Sequence, residues 1–387
     1  MSDLWPLPSD PIVDEIAAFD GAHDPARRSR EVDRAPAFPR SLFRAMGDAR
    51  LLGLTEPTER GGRGLPLTRG AVALFHLAYR GGTVAGKLSL QPEFAMVLAE
   101  RGRREVVDAW FRPLVRGERL VANQITEATA GSDAAALALT AERRGDEYVL
   151  NGTKTEIASA LDADAAIVYG RAPGTAGHRG ISAFLVPQDL PGIRRVPGEG
   201  DLGERWQRRG SVVYEDARVP ASHLLGEEGV GFSYVVPELV RERGLLAAIY
   251  LGVARASWDE TVRFVGDRST FGRRLAERQG VAFPLVEDGA QLEAIWLLTV
   301  QALASLGSGA AGSEARTAVA KAMACDVALR TIDHAIQFHG GRGYGASLPH
   351  EQRWRDVRSG PIAHGASEVL RWAATRQLWP RPRAENP

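Results

Sequence analysis

Two short polar segments have the residue types that bind anions. The first, Ile125–Asp133 (ITEATAGSD), combines hydroxyl groups, small side chains and a glycine, which let backbone N–H groups approach an anion closely. The second, Asp267–Gly272 (DRSTFG), offers Arg268 for pairing with a phosphate and Phe271 for stacking. Taken alone, the first is equally an ordinary polar turn, and the second is equally a helix cap.

A glycine-rich segment, His339–Gly345 (HGGRGYG), superficially resembles a dinucleotide-binding fingerprint. That fingerprint requires a preceding strand, whereas here a helical pattern precedes the glycines, so the segment alone indicates a turn at a helix C-terminus. His334 and His339 lie five residues apart, which places them on different faces of a helix, and no Cys or carboxylate completes a set at ligand spacing. We therefore expect no metal site.

The periodicity of the apolar residues predicts which elements must position these segments. Between residues 11 and about 120 apolar residues recur three and four apart, which indicates packed helices. Between about 121 and 226 the period is two, in short β-branched or aromatic runs separated by Gly, Pro and Asp. This second pattern predicts an antiparallel β domain, as a small barrel or sandwich.

Long helical patterns return after the predicted sheet, and they indicate a four-helix bundle. They lie at about 232–267, 279–306, 313–339 and 365–379. We therefore predict an α+β protein with an N-terminal helical domain (1–120), a middle antiparallel β domain (121–226) and a C-terminal helical bundle (227–387).

Charge and composition argue against several classes of protein. The 48 basic residues balance 48 acidic residues, whereas nucleic acid or an anionic membrane requires a field of one sign. The chain starts without the basic and apolar regions of a signal peptide and has no apolar run long enough to span a bilayer, so we expect a cytoplasmic protein. Its single cysteine, Cys325, lies in an apolar helical run and indicates a buried thiol, so redox chemistry would come from a cofactor.

Lysine is rare in this chain. Only Lys87, Lys154 and Lys321 are lysines, and all other basic residues are arginine. We attribute this preference to the codon usage of a GC-rich genome, so that paired arginines carry little functional information.

Taken in order, the motifs resemble those of the acyl-CoA dehydrogenase family. The resemblance covers roughly residues 11–379, and the upstream phrase GLTEPTERGGRGL is similar to the family's G-x-x-x-P-x-x-x-G-G-x-G. The family loop T-E-P-x-A-G-S-D is similar to Thr126–Asp133, which has Ala128 in place of the proline. Three more motifs follow in order: N-G-x-K at Asn151–Lys154, R-x-x-F-G at Arg268–Gly272 and Q-x-x-G-G-x-G-Y at Gln337–Tyr344, with R-D at Arg355–Asp356 after them. The resemblance implies the family's three-domain α+β fold.

The resemblance implies FAD as the cofactor, bound between the β domain and the bundle and held partly by a neighbouring subunit of a homodimer or homotetramer. Thr126 would bond the flavin ring and Ser132 the phosphate region. The other implied cofactor-binding residues are Ile125, Gly131, Glu156 and Ala158 near the ring, Arg268, Phe271 and Gln279 at the adenosine and pyrophosphate end, and Gln337, Gly340 and Gly341 closing over it. The implied substrate-binding residues are Ser132, Arg243, Tyr344 and Gly365.

Beside the predicted flavin ring, the chain departs from the family pattern. The family often has W-I-T or W-I-S after the N-G-x-K turn, where this chain has Glu156, Ile157 and Ala158. A carboxylate there has three alternative roles: it disfavours anionic reduced flavin if it is itself ionised, it bonds a polar substrate, or it turns to solvent.

The position of the catalytic base is also altered. Most of the family's dehydrogenases carry a Glu in a Y-E-G-T-like turn after R-D, where this chain has His364. The isovaleryl and long-chain branches instead use a Glu in an L-x-x-E-R pattern, which matches Leu239–Arg243, so Glu242 is our first choice for the base. The alternative for Glu242 is a solvated helix carboxylate paired with Arg243 or Arg241. The alternatives for His364 are a base, a residue of the pocket wall, or a hydrogen-bond donor that orients the thioester.

The resemblance implies FAD-dependent α,β-dehydrogenation of an acyl thioester, with proton abstraction by Glu242 and hydride transfer to flavin N5. Ala366 and Glu368 replace residues of the usual G-T-S-Q turn, which favours an acyl carrier protein thioester over acyl-CoA, as in biosynthetic members. An electron-transfer flavoprotein or O₂ would accept the electrons. The alternatives are a flavin-dependent monooxygenase or oxidase of secondary metabolism on the same fold, and a flavin-binding scaffold or nucleic-acid-associated relative without turnover, of which the balanced charge disfavours the last.

Overall fold

The computed structural model describes residues 4–379, apart from the side chain of Val97. The helices are α1 Ile12–His23, α2 Pro25–Arg34, α3 Arg40–Asp48, α4 Leu67–Leu90, α5 Met96–Arg101, α6 Arg104–Val115, α7 Phe232–Asp267, α8 Gln279–Gly307, α9 Ser313–His339, α10 Gly341–Tyr344, α11 His350–Val357 and α12 Ser367–Leu378. The strands are β1 Val121–Gln124, β2 Thr140–Arg144, β3 Glu147–Ile157, β4 Ala165–Arg171, β5 Ile181–Pro187, β6 Ile193–Pro197, β7 Gly210–Pro220, β8 Leu224–Leu225, β9 Ser269–Thr270 and β10 Arg273–Arg274. The predicted order of helices, sheet and helices is confirmed.

These elements form two compact units, each built from separate stretches of the chain. The helical unit comprises Met1–Ala18, Pro66–Gly86 and Val240–Pro387, and the sheet unit comprises Phe19–Leu65 and Lys87–Leu239. The three-domain division of the sequence stays a prediction. Its two outer ends, residues 1–3 and 380–387, lie outside the described residues.

The sheet unit contains one mixed sheet with strand order β6-β7-β3-β2-β4-β5-β8, and β1 pairs with β4. The pairs β2–β3, β3–β7, β4–β5, β5–β8 and β6–β7 are antiparallel, as predicted. The prediction is wrong for β1, which runs parallel to β4, and β2 also meets β4 in parallel at Thr140 and Arg171. β1 has four residues, and so short a run indicates neither its partner nor its direction.

The four long helices that the sequence predicts are present, with ends that differ from the predicted ones by at most two residues. Small residues let these helices approach closely. A Cβ placed on Gly244 of α7 would lie 2.5 Å from the Leu303 side chain of α8 and 3.1 Å from the Thr317 side chain of α9. In α4, Gly82 has non-helical angles (φ 68°, ψ −163°), so two helical segments meet there at a kink.

By length and composition alone, α8 could cross a membrane, with a mean hydropathy of 1.2 over its most apolar window of 18 residues. The same helix carries the buried Asp288, which binds Arg330 and His334 of α9 at 3.0 and 2.7 Å. One such helix is weak evidence for a membrane span, because the core helix of a bundle passes the same test.

The contact between α7 and α4 gives a test of the helical packing. A Cβ on Gly252 of α7 would lie 2.3 Å from the backbone carbonyl oxygen of Phe75, which cannot move independently of its helix. We predict that Gly252→Ala lowers the free energy of unfolding by about 1–3 kcal/mol. Gly266→Ala is the matched control on the same helix, since no atom lies within 4 Å of its Cβ, and it should raise stability by up to about 1 kcal/mol. Urea unfolding measures the free energy of unfolding of both variants. If Gly252→Ala and Gly266→Ala change it equally and in the same direction, the close contact of Gly252 with Phe75 is wrong.

Candidate active site

Glu242 and His364 lie together in the helical unit. Glu242 lies on α7 and is 2% exposed, so it is not a solvated helix carboxylate. Its Oε2 lies 3.4 Å from Nε2 of His364, which lies in the turn between α11 and α12 and is about one-third exposed (33%). The structure thus brings together the carboxylate and the imidazole that the sequence offers as alternative bases.

The turn that carries His364 is fixed by buried cations. Lys321 of α9 is 0% exposed, and its ammonium group donates hydrogen bonds to the carbonyl oxygens of Gly360, Ala363 and Gly365. Arg243 Nε donates to the carbonyl oxygen of His364 at 2.8 Å. His364 has a φ of 56°, a left-handed conformation that side chains other than glycine adopt rarely. The carbonyl contacts on both sides of this residue stabilise that conformation.

Arg243, a predicted substrate-binding residue, lies beneath the same turn. Burial lowers its pKa, while the carboxylates of Glu242 and Glu314 act in the opposite direction. Its Nη2 would lie 3.2 Å from a Cβ on Gly365, another predicted substrate-binding residue, so a side chain there would displace the guanidinium. In this structure Arg243 therefore supports the turn.

In the sheet unit, a buried ion pair anchors the predicted flavin loop to β3. The fully buried Lys154 donates to the Ile125 carbonyl oxygen at 3.0 Å and to Glu127 Oε1 at 2.8 Å. Glu127 also accepts the backbone N–H groups of Ala138 and Leu139. Burial lowers the pKa of Lys154 to about 8, against the opposing effect of Glu127. For Glu127, burial raises the pKa, but Lys154 and the two backbone donors outweigh it and the net pKa is lowered.

The outer part of the loop is open. Thr126 accepts the backbone N–H of Thr155 on β3 through its carbonyl oxygen, which places the loop beside Glu156. Gly131 and Ser132 are exposed, and no atom lies within 4 Å of a Cβ on Gly131. The backbone here is accessible to a ligand, as the anion-binding interpretation requires.

Glu156 turns outward and forms an ion pair. Its side chain is 66% exposed, and its Oε2 accepts a hydrogen bond from Arg209 Nη2 at 2.6 Å. Arg209 also binds Asp201 at 2.9 Å. The pairing of β3 with β7 shifts register next to Glu156, which has a φ of 57°. Irregularities of this kind redirect side chains, and here the Glu156 side chain points to solvent. Ala158, two residues on, is exposed.

The remaining predicted cofactor residues lie in two places in the helical unit, and all of them are exposed. Arg268 and Phe271 lie at the β9–β10 hairpin and Gln279 begins α8, while Gln337, Gly340 and Gly341 lie at the end of α9. Phe271 is 96% exposed and Tyr344 85% exposed. Glycines 272, 340 and 341 have no atom within 4 Å of a Cβ. An accessible arginine, exposed aromatic rings and open glycine backbone suit a phosphate- and adenine-bearing cofactor.

Three family models match this chain. The model described as "Acyl-CoA dehydrogenase, N-terminal domain" matches residues 12–118, the corresponding middle-domain model matches residues 122–217, and the C-terminal-domain model matches residues 229–378. The chain belongs to the acyl-CoA dehydrogenase family. Its members are FAD-dependent oxidoreductases that act on CH–CH bonds of acyl thioesters, and FAD is the cofactor.

Two relatives and one more distant structure illustrate the match. The mouse (Mus musculus) mitochondrial short-chain specific acyl-CoA dehydrogenase is 33% identical over 88% of this chain and 83% of its own length. The structure of butyryl-CoA dehydrogenase from Megasphaera elsdenii is 28% identical, with a TM-score of 0.89 over 96% of this chain and 99% of that one. The prolyl acyl carrier protein oxidase AnaB shares the fold, with a TM-score of 0.87 over 95% of this chain and 99% of its own, at 24% identity.

Sequence reasoning missed what the three lysines share. Lys87, Lys154 and Lys321 are 8%, 0% and 0% exposed, and each ammonium binds a carboxylate or carbonyl oxygens. An ammonium is a compact charge that three acceptors can surround, whereas the planar guanidinium needs more room. The rarity of lysine in the sequence could have indicated this. In a chain whose other basic residues are arginines, a lysine indicates a buried site that the larger guanidinium group does not fit.

The Lys154–Glu127 pair generates a stability prediction. Lys154→Met leaves a buried carboxylate without its cation, so we expect the free energy of unfolding to fall by about 3–5 kcal/mol, with reduced retention of FAD. Chemical unfolding and the absorbance ratio of bound flavin to protein measure the two effects. Lys154→Met combined with Glu127→Gln removes both charges and should recover part of the loss. A double variant less stable than the single one would contradict the ion-pair account.

A histidine beneath the glycine-rich segment makes stability depend on pH. His350 is 1% exposed, and burial together with Arg353 lowers its pKa to about 4, against the opposing effect of Glu260. The folded chain therefore keeps His350 neutral while the unfolded chain protonates it near pH 6.5. We therefore predict that the contribution of His350 to stability is present above pH 6.5 and is lost as the pH falls towards 4, by about 2 kcal/mol at pH 5.

Urea unfolding at pH 7.5 and pH 5.0 tests this dependence. His350→Gln should reduce the loss of stability between the two pH values, whereas His178→Gln, in an exposed loop, should leave it unchanged. An equal loss in wild type and His350→Gln would assign the pH dependence to other groups.

Proposed function

We propose that this chain dehydrogenates an acyl thioester between its α and β carbons, with Glu242 as the base that takes the α-proton. The observation that carries the proposal is the buried Glu242 carboxylate on α7, within 3.4 Å of the residue that stands in the family's other base position. The neighbouring Arg243 binds the turn backbone and so keeps Glu242 facing His364.

We propose that the exposed loop and hairpin residues hold FAD, which, when bound, accepts the hydride from the β-carbon. Thr126, Gly131 and Ser132 would approach the flavin and its phosphates through the open loop. Arg268 and Phe271 would bind phosphate and adenine, with Gln279, Gln337, Gly340 and Gly341 beside them. Phe271 at 96% exposure, together with Phe283, Val286 and Leu297 at 56–58% on α8, supports a homodimer or homotetramer that covers these side chains.

The thioester carrier, the electron acceptor and the compartment belong to the proposal as well. Ala366 and exposed Glu368, in place of the usual turn residues, support an acyl carrier protein thioester beside acyl-CoA, in a cytoplasmic biosynthetic role. Either an electron-transfer flavoprotein or O₂ would accept the electrons. Ser132 and Tyr344, both exposed, are proposed to contact the substrate.

One observation supports a second function. Where relatives often have a tryptophan and a hydroxyl residue, the exposed ion pair of Glu156 with Arg209 and the exposed Ala158 leave a polar, open surface. Such a surface suits a flavin-dependent monooxygenase or oxidase, in which O₂ reacts with the reduced cofactor. Incorporation of ¹⁸O from ¹⁸O₂ into product would support a monooxygenase, peroxide without incorporation would support an oxidase, and no O₂ consumption would exclude both.

Anaerobic flavin bleaching tests the dehydrogenase. A panel of CoA and carrier-protein thioesters of different acyl lengths is mixed with the FAD-loaded protein, and the loss of flavin absorbance is followed by stopped flow. Glu242→Gln should slow bleaching by about 10²- to 10⁴-fold, since it removes the base and little volume.

Glu287→Gln is the matched control, because Glu287 is an exposed glutamate on the neighbouring helix α8. Bleaching at the wild-type rate in Glu242→Gln would overturn the assignment of the base. If no thioester in the panel bleaches the flavin, the proposed reaction itself is wrong.

A further inference from the structure

A buried base must dispose of its proton. Glu242 is 2% exposed, so once protonated its carboxyl group is largely shielded from bulk water. The proton must leave before the carboxylate can act in another turnover. A neighbouring group that reaches both Glu242 and solvent would provide the route.

His364 meets both conditions. Its Nε2 faces Glu242 Oε2 at 3.4 Å, and its side chain keeps 33% of its surface exposed. A neutral imidazole accepts a proton on one nitrogen and exchanges protons with water near neutral pH. Its Nδ1 is buried, so Nε2 is the nitrogen that would take the proton from Glu242 and then return it to water.

The turn that presents the imidazole is rigid and strained. His364 has a φ of 56°, and such a backbone persists in a residue other than glycine only where the surroundings enforce it. Lys321 binds the carbonyl oxygens of Ala363 and Gly365, and Arg243 binds that of His364. Three successive carbonyl groups are thereby fixed, which keeps the imidazole directed at Glu242.

Charged side chains near the pair lie on the helices α7 and α9. On α7, Arg243 follows Glu242, and on α9 Lys321 lies under the turn while Glu314 acts on Arg243. The two cations bind backbone carbonyl groups of the turn. The imidazole and the carboxylate are therefore the groups of this set that are placed to exchange a proton with each other.

We propose that His364 is the proton-exit residue of this site, which takes from Glu242 the proton that Glu242 removes from the thioester. The inference rests on the proposed function. First the α-C–H bond breaks and an O–H bond forms on Glu242. Then that O–H bond breaks, an N–H bond forms on Nε2 of His364, and the imidazolium releases a proton to water. Both residues return to their starting state, and neither step oxidises or reduces them.

Proton release during a single turnover tests the inference. The FAD-loaded protein is mixed anaerobically with a bleaching thioester in weak buffer containing a pH-indicator dye, and flavin absorbance and dye absorbance are followed together. In wild type, proton release should follow bleaching closely. His364→Gln should bleach within about threefold of the wild-type rate yet release its proton at least tenfold more slowly, with kcat reduced and kcat/KM kept.

Two further variants sharpen this result. Added imidazole should restore fast proton release in His364→Ala, and His178→Ala, at an exposed loop histidine, should behave as wild type. Unchanged proton release in His364→Gln would overturn the proposal. Loss of bleaching in His364→Gln, as severe as in Glu242→Gln, would also overturn it, because His364 would then act in the first step.

A second measurement does not depend on turnover. With ¹³C-labelled histidine, the ring signal of His364, assigned by its loss in His364→Gln, is titrated in the FAD-loaded protein without substrate. Removing the carboxylate in Glu242→Gln should lower the pH at which this signal titrates by at least about 0.5 unit, and Glu287→Gln should not change it. Identical titrations in wild type and Glu242→Gln would mean that the two groups are uncoupled and the proposal is wrong. A shift with no bleaching by any thioester would instead leave the pair intact and reject only the dehydrogenase reaction.

Discussion

The contact of the Lys321 ammonium group with three carbonyl oxygens determines the geometry of the candidate active site. The oxygens belong to Gly360, Ala363 and Gly365, which surround His364 in the chain. Without a cation, carbonyl groups turned inward at a buried position would cost free energy. The ammonium satisfies them together, and the turn then presents His364 in its left-handed conformation towards Glu242. A surface turn of the same sequence would have no such preference.

In the sheet unit, too, a buried lysine fixes a backbone segment. Lys154 binds the Ile125 carbonyl oxygen and the Glu127 carboxylate, so the loop from residue 125 begins from a fixed point on β3. Its outer half, at Gly131 and Ser132, stays open. In both units, therefore, a buried lysine fixes a backbone segment whose exposed part carries the proposed chemistry. Rigid support next to an accessible surface is what catalytic positioning requires.

The sequence predicts the fold well because its signals are local or ordered. The long helices follow from apolar periodicity, and the family follows from motifs whose order chance would not reproduce. Glu242 was found because L-x-x-E-R is a pattern of neighbouring residues. The parallel pairing of β1 was missed because a strand's direction depends on its partner, and Val121 pairs with Ala165, 44 residues further along the chain.

The missed parts of the site depend on contacts that side-chain patterns do not encode. Lys321 binds backbone carbonyl groups 39 to 44 residues further along the chain, and carbonyl groups are the same in every residue. Glu156 pairs with Arg209 across β3 and β7, where a register shift decides which side chains meet. Among many arginines, no sequence rule selects that one.

The central claim is that Glu242 moves the α-proton and His364 connects it to water. Its most direct test is deuterium exchange at the α-carbon of a thioester whose β-carbon is replaced by sulfur, so that no hydride can leave. Incubated in D₂O with the FAD-loaded protein and followed by mass spectrometry, this compound should gain α-deuterium rapidly with wild type, slowly with His364→Gln, and not above background with Glu242→Gln. Exchange at the wild-type rate in Glu242→Gln would contradict the account.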